Sequence, residues 1–155
     1  MNLVHHPAWL PEVVIRRVAA LVVLVAAVGL ATGTGWVLWF LALDFGIRGF
    51  AGPGASPLAL AARRLSFPGG TTQRRVAGAP KRFAARLGFV MFAGAAVLAT
   101  FFDLVAVAWT LAAVVMLLAT LEAVAGFCLG CVMYRGLVRI GWAGRDGCPT
   151  CADGS

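Results

Sequence analysis

The feature that most constrains this chain is the length of its apolar blocks. Runs of about 18–25 residues with few charges recur along the sequence, long enough to cross a bilayer as helices. The blocks begin near Val13, Trp36, Phe83 and Leu104. Charged residues make up only 12% of the 155, about half the share of an ordinary soluble domain. The sequence therefore predicts an all-α polytopic membrane protein with four transmembrane helices. Its organisation reads as a cytoplasmic N-terminal lead at 1–12, a membrane domain at 13–140 and a cytoplasmic cysteine-containing tail at 141–155.

Charge gives the orientation. The net charge is +7. The basic residues flank apolar blocks as membrane topology requires, so a nucleic-acid partner is rejected. Arg16 and Arg17 precede the first block, Arg48 to Arg86 lie between the second and third, and Arg135, Arg139 and Arg145 follow the fourth. Neither short opposite loop carries a basic residue. Both termini are accordingly expected in the cytoplasm, with the bilayer as the first partner. An Arg pair before an apolar stretch also occurs in twin-arginine export signals, but no A-x-A cleavage site follows. Lys81 is the only lysine and carries no functional reading.

In the lead, His5 and His6 read as a polar tail rather than a metal pair, and Trp9 suits the headgroup layer. Span one is expected from Val13 to Leu30 and span two from Trp36 to Phe50. Span two holds Asp44 and Arg48 one helical turn apart, acid before base, where the two charges neutralise each other. In the long connection that follows, Ser56-Pro57 forms an N-cap with proline at the first helical position. Leu58, Ala61, Ala62 and Leu65 then make one apolar face. This predicts a short interfacial helix between spans two and three, ended by Pro68-Gly69-Gly70. Span three is expected from Phe83 to Phe102. Span four is expected from Leu104 to Met133, interrupted only by Glu122.

The end of that last block carries the chemistry. It reads E-A-V-A-G-F-C-L-G-C from Glu122 to Cys131. On a continuous helix, Glu122, Gly126 and Gly130 form one packing seam, and Cys128, Cys131 and Arg135 fall on the opposite side. Glu122 needs a partner in so apolar a setting, and Arg86 and then Arg48 are the first candidates. At 1.5 Å per residue Leu104 to Cys128 is about 36 Å, which puts the first cysteine pair at the cytoplasmic boundary. A second pair, Cys148 and Cys151, stands in C-P-T-C on the same side.

Three chemistries fit these cysteines. In the first, Cys128 and Cys131 form a dithiol that exchanges with a partner through a mixed disulfide, and Cys148 and Cys151 act as a shuttle pair. Arg135, one turn after Cys131, then favours the thiolate, and Glu122 is a buried partner or a proton acceptor. A helix C-terminus at the pair opposes the thiolate, whereas a break at Gly126 or Gly130 that starts a new helix reverses the sign. In the second, Cys128, Cys131, Cys148 and Cys151 hold zinc, since C-x2-C-x16-C-x2-C is a four-cysteine spacing. The apolar setting of the first pair fits that poorly. In the third, the cysteines are small apolar residues and nothing more. Neither pair is followed by His, which leaves covalent haem without support.

The motifs L-D-F-G-I-R-G-F at Leu43 to Phe50, S-P-L-A at Ser56 to Ala59, A-P-K-R-F-A-A-R-L-G at Ala79 to Gly88 and L-E-A-V-A-G-F-C-L-G-C at Leu121 to Cys131 resemble a bacterial family of small integral membrane proteins known as domain of unknown function 4395. The resemblance covers roughly Val13 to Tyr134. It implies a four-helix protein of the bacterial cytoplasmic (inner) membrane and no established activity. Relatives are often encoded near thioredoxin-like and rhodanese-type proteins, which makes these the expected soluble partners. The C-P-T-C tail lies outside the family's common pattern.

The sequence thus predicts an inner-membrane protein with a cytoplasm-facing dithiol that works in thiol-disulfide exchange or sulfur handling. One alternative is a small carrier or channel using Asp44, Arg48, Arg86 and Glu122 as an intramembrane polar path. Another is a structural subunit of a membrane assembly. Four helices enclose little volume for a closed transport path, so a homodimer or a further partner is expected.

Overall fold

A computed structural model describes residues 9–52, 54–65 and 75–142. The described chain is almost entirely helical. Its elements run in the order β1 (Trp9–Pro11), α1 (Glu12–Thr32), α2 (Trp36–Gly46), a π-helical turn (Ile47–Ala51), α3 (Pro57–Arg64), β2 (Arg75–Ala77), α4 (Gly78–Phe101), α5 (Val105–Ala125) and α6 (Leu129–Arg139). Three helices, α1, α4 and α5, are long and apolar enough to cross a membrane. With its π turn, α2 reaches Ala51 but rises only roughly 24 Å at 1.5 Å per residue, short of the hydrocarbon thickness.

The helices pack where their small residues meet. Ala26, Ala95, Ala96, Ala108 and Ala112 lie in the core and let backbones approach closely, as in membrane bundles generally. Phe92, Leu38, Leu41 and Val22 are the largest apolar side chains fully enclosed among them. The outward faces are apolar too. Leu24, Leu43, Val90, Leu117 and Val124 are all more than half exposed, the pattern of a surface solvated by lipid rather than water.

The two ends of the bundle differ. At one end, short turns join α1 to α2 through Gly33, in the left-handed conformation, and α4 to α5 through Asp103, which has a φ of 54°. Asp is among the few side chains that tolerate that region. At the other end lie the start of α1, α3, the start of α4, the end of α5 and α6. There β1 pairs antiparallel with β2, Leu10 opposite Val76, which ties the entry of α1 to the entry of α4. That ladder has no counterpart in the sequence-based expectation.

The expected cap of α3 is present. The Ser56 hydroxyl accepts from the Ala59 amide at 3.2 Å, with Pro57 at the first helical position. Leu58 and Ala62 are buried within the protein, while Leu65 is exposed. The expected Asp44–Arg48 pair is formed at 2.5 Å, with Asp44 fully buried. Asp44 also accepts from the Ser56 hydroxyl at 2.6 Å and from the Leu58 amide at 3.1 Å. The buried carboxylate thus fastens the end of α2 to the first turn of α3, where helix amides need acceptors.

The expected continuous helix from Leu104 to Met133 is not formed. The helix α5 ends at Ala125, and Gly126 takes a φ of 69°, its amide donating to the Glu122 carbonyl at 3.0 Å. Glycine adopts this left-handed geometry without steric cost and commonly ends a helix this way. Arg16 stabilises the break from α1. Its Nε donates to the Ala123 carbonyl at 3.0 Å, and its Nη2 donates to the Val124 carbonyl. These are carbonyls that a helix end leaves without partners. The His pair, Pro68-Gly69-Gly70, Arg145, Cys148 and Cys151 all lie outside the described residues.

Candidate functional site

The break at Gly126 repositions the cysteines. Phe127 and Cys128 link α5 to α6, and Cys128, in extended conformation, is the N-cap of α6. Cys131 is the third helical residue. The two-residue spacer therefore sets the two cysteines in the N-cap to N3 relation, in which the first turn of a helix brings the side chains together. Amides of Cys131 and Val132 donate to the Cys128 carbonyl at 3.1 and 3.2 Å.

Glycine holds this turn against the bundle. A methyl group on Gly130 would lie 2.5 Å from the Cβ of Ala84, so α6 sits on α4 as closely as backbones allow. Farther along, the Tyr134 ring packs tilted against Phe83 of α4 with centroids 5.7 Å apart. The expected packing seam is corrected by these contacts. Gly126 ends a helix rather than joining two, and the thiols do not stand opposite Glu122. They are brought to the same side.

Beside them lies a charged pair. Lys81, in the first turn of α4, donates from its ammonium to the Glu122 carboxylate in the last turn of α5. Both side chains are about one-fifth exposed. The expected partners of Glu122 are otherwise engaged. Arg86 donates to the Gly49 carbonyl at 3.0 Å and lies over the Phe50 ring, while Arg48 pairs with Asp44 and lies over Phe45. Lys81 is the residue that the sequence reading missed. Its pattern held a weak signal, a single ammonium at the mouth of a span in a chain that otherwise uses arginine.

The two thiols are electrostatically unequal. Cys131 hydrogen bonds to the Cys128 sulfur, and together with the Lys81 charge this lowers the Cys128 thiol to about 7, against the opposing effects of burial and Glu122. The same hydrogen bond, with burial, pushes Cys131 up. The start of a helix adds its positive end to the Cys128 side. Both cysteines are free thiols. Arg135 is exposed on α6 and borders the same cavity as Cys131, but the cation acting on Cys128 is Lys81.

Two cavities meet here. An outer one of about 440 Å³ is bordered by Glu12, Arg16, Arg135 and both cysteines. An inner one of about 170 Å³ lies among α1, α3, α4 and α5, walled mainly by Val14, Val18, Val22, Met91, Val115 and Leu118 and bordered also by Arg48, Arg63 and Arg82. Cys128, Lys81 and Glu122 border both, whereas Cys131 borders only the outer one. Among the described residues no three His, Cys, Asp or Glu side chains converge as metal ligands. The four-cysteine zinc alternative requires Cys148 and Cys151, outside those residues.

No curated protein and no solved structure matches the chain. Residues 10–139 match the domain of unknown function DUF4395, a match that ends before Cys148 and Cys151. Since that match takes in most of the chain and the whole of the helical bundle, the protein belongs to the DUF4395 family.

Proposed function

We propose that this protein is a dithiol carrier of the bacterial cytoplasmic membrane, exchanging disulfide or sulfane sulfur with a soluble thioredoxin-like or rhodanese-type partner. The observation that carries the reading is the placement of both thiols on one helix start, Cys128 as the N-cap of α6 and Cys131 one turn on, bordering the same cavity. Cys128, at the N-cap and with its thiol lowered by the Cys131 hydrogen bond and the Lys81 charge, is the attacking nucleophile. Cys131, held protonated, is the resolving thiol.

The step balances simply. The Cys128 thiolate attacks a partner disulfide, forms a mixed disulfide and expels one partner thiolate. Cys131 then attacks the Cys128 sulfur, closes the Cys128–Cys131 disulfide and releases the second partner thiolate. Its proton leaves by way of the outer cavity. The reverse sequence delivers a disulfide to a reduced partner.

In this reading α1, α2, α4 and α5 cross the membrane, α2 as a short crossing completed by its π turn, and α3 and α6 lie at the interface. Support comes from the clustering of Arg16, Arg17, Lys81 and Arg86 at the thiol-bearing end, the arrangement the positive-inside tendency favours for a cytoplasmic face. The carrier or channel alternative has less support. Asp44 and Arg48 satisfy each other and the α3 cap, and Arg86 is tied to Gly49.

The test is trapping. With Cys131→Ser the resolving step is blocked, so a mixed disulfide through Cys128 accumulates with its physiological partner after acid quench and alkylation. Cys128→Ser abolishes the trapped species. Equal trapping by both variants, or by neither under oxidative challenge, contradicts the reading.

A further inference from the structure

We propose that the inner cavity is a binding site for the ring of a bilayer-soluble quinone, which accepts the electrons of the Cys128–Cys131 dithiol. This rests on the dithiol reading above and adds its second redox partner.

The inference starts from the position of Cys128. It borders an outer cavity lined by charged groups and an inner cavity walled by Val18, Val22, Met91 and Val115, so it is open on two chemically different sides. A water-soluble thiol partner fits the first side. The second is mainly aliphatic, which favours an uncharged and largely apolar ligand. Its size suits a single ring. An apolar protein cavity of about 150 Å³ stays dry and takes up a benzene-sized molecule, and this one is about 170 Å³.

The cavity also carries the charges that a reducible ring needs. Lys81 borders it beside the thiol, and Arg63 and Arg82 border it too. A neutral quinone enters without a charge penalty, and negative charge that develops on its oxygens during reduction is met by these cations. An acyl chain occupies aliphatic walls equally well, but it gains nothing from a thiolate and cannot accept electrons.

The reaction conserves atoms and electrons. The dithiol loses two electrons and two protons as the Cys128–Cys131 bond forms, and the quinone gains two electrons and two protons to become the quinol. One proton comes from the Cys131 thiol. The other is the equivalent of the proton Cys128 lost to the outer cavity, and it returns by that route.

The experiment uses the full chain, reduced, in lipid nanodiscs. The probe is a tetrasubstituted benzoquinone with a decyl chain, whose ring has no free carbon for thiols to arylate. Quinone absorbance and peptide mass after alkylation are followed together, with glutathione disulfide as a parallel water-soluble oxidant. The expected result is one quinone consumed per Cys128–Cys131 disulfide formed. Ala119→Phe, which fills the cavity from α5, slows quinone oxidation at least tenfold and leaves the glutathione rate unchanged. A redox-inert dimethoxybenzene with the same decyl chain slows the quinone reaction of the wild-type chain alone, a test that needs no folded variant.

If glutathione disulfide oxidises the pair while the quinone does not, the quinone site is overturned and the dithiol reading stands. The site is equally overturned if the inert analogue fails to compete. If neither oxidant closes the disulfide, the dithiol reading falls and the quinone site falls with it.

Discussion

Two of the charged pairs among the described residues differ in what surrounds them. Asp44 and Arg48 stand on one helix, with Asp44 fully buried and accepting hydrogen bonds from Ser56 and Leu58. The carboxylate is enclosed by protein, Arg48 is left only a narrow edge on the inner cavity, and the pair closes the joint between α2 and α3. Lys81 and Glu122 join two helices, stay partly exposed, and border two cavities and a thiol. A charge whose surroundings are complete holds the fold together, whereas one with an open side can act on whatever enters. On the proposed function, the first pair is structural and the second is the one that acts on the thiol.

The largest expected effect breaks the first pair. Asp44→Ala leaves Arg48 buried without its counter-charge and uncaps α3, and it is expected to cost about 3–5 kcal/mol of stability. Unfolding in mixed micelles measures this. The alkylation profile of the thiols in the protein that remains folded should match wild type. A variant that is stable but altered at its thiols contradicts the assignment.

The next effect sharpens the second pair, through opposite signs. Lys81 holds the Cys128 thiol down and Glu122 pushes it up. Lys81→Met is therefore expected to slow iodoacetamide alkylation of Cys128 at pH 7 several-fold, and Glu122→Gln to speed it. Equal or same-direction changes separate the thiol from this pair. Cys131 gives a third test. Cys131→Ser keeps a hydrogen-bond donor beside Cys128 and retains most of its acidity, while Cys131→Ala loses the donor and raises it toward the ordinary thiol value, as pH-rate profiles of the two variants would report.

The smallest effect concerns packing. Gly130→Ala places a methyl group against Ala84, and relief of that overlap moves α6 off α4 at a cost of about 1–3 kcal/mol. Cys128 should gain exposure and lose part of its lowered pKa. Thermal unfolding and the alkylation midpoint read the two consequences separately.

Much of the scaffold was legible in the residues because its determinants are local. The long apolar blocks, the Ser56-Pro57 cap and the Asp44–Arg48 spacing each act within a few residues. The candidate site was legible in composition but not in geometry. A glycine in a helix costs only about 1 kcal/mol, so Gly126 alone does not announce a break. What ends α5 is Gly126 together with Arg16, more than one hundred residues earlier in the chain. The partner of Glu122 was equally hidden. Lys81, rather than Arg86 or Arg48, meets it because the relative height of α4 and α5 decides the contact, and no local pattern encodes that height. Once the break exists, the polarity at the cysteines reverses, from a helix end that disfavours a thiolate to a helix start that favours one.

The most direct test of the central claim is the pH dependence of Cys128 alkylation in the full-length protein, read by peptide mass. Because the thiol is lowered, its thiolate fraction and its rate rise as pH increases through the folded value. The expected midpoint is about 7, with Cys131 unreactive over the same range. A midpoint near the ordinary cysteine value of about 8.5, or equal reactivity of the two thiols, contradicts an activated dithiol at the start of α6.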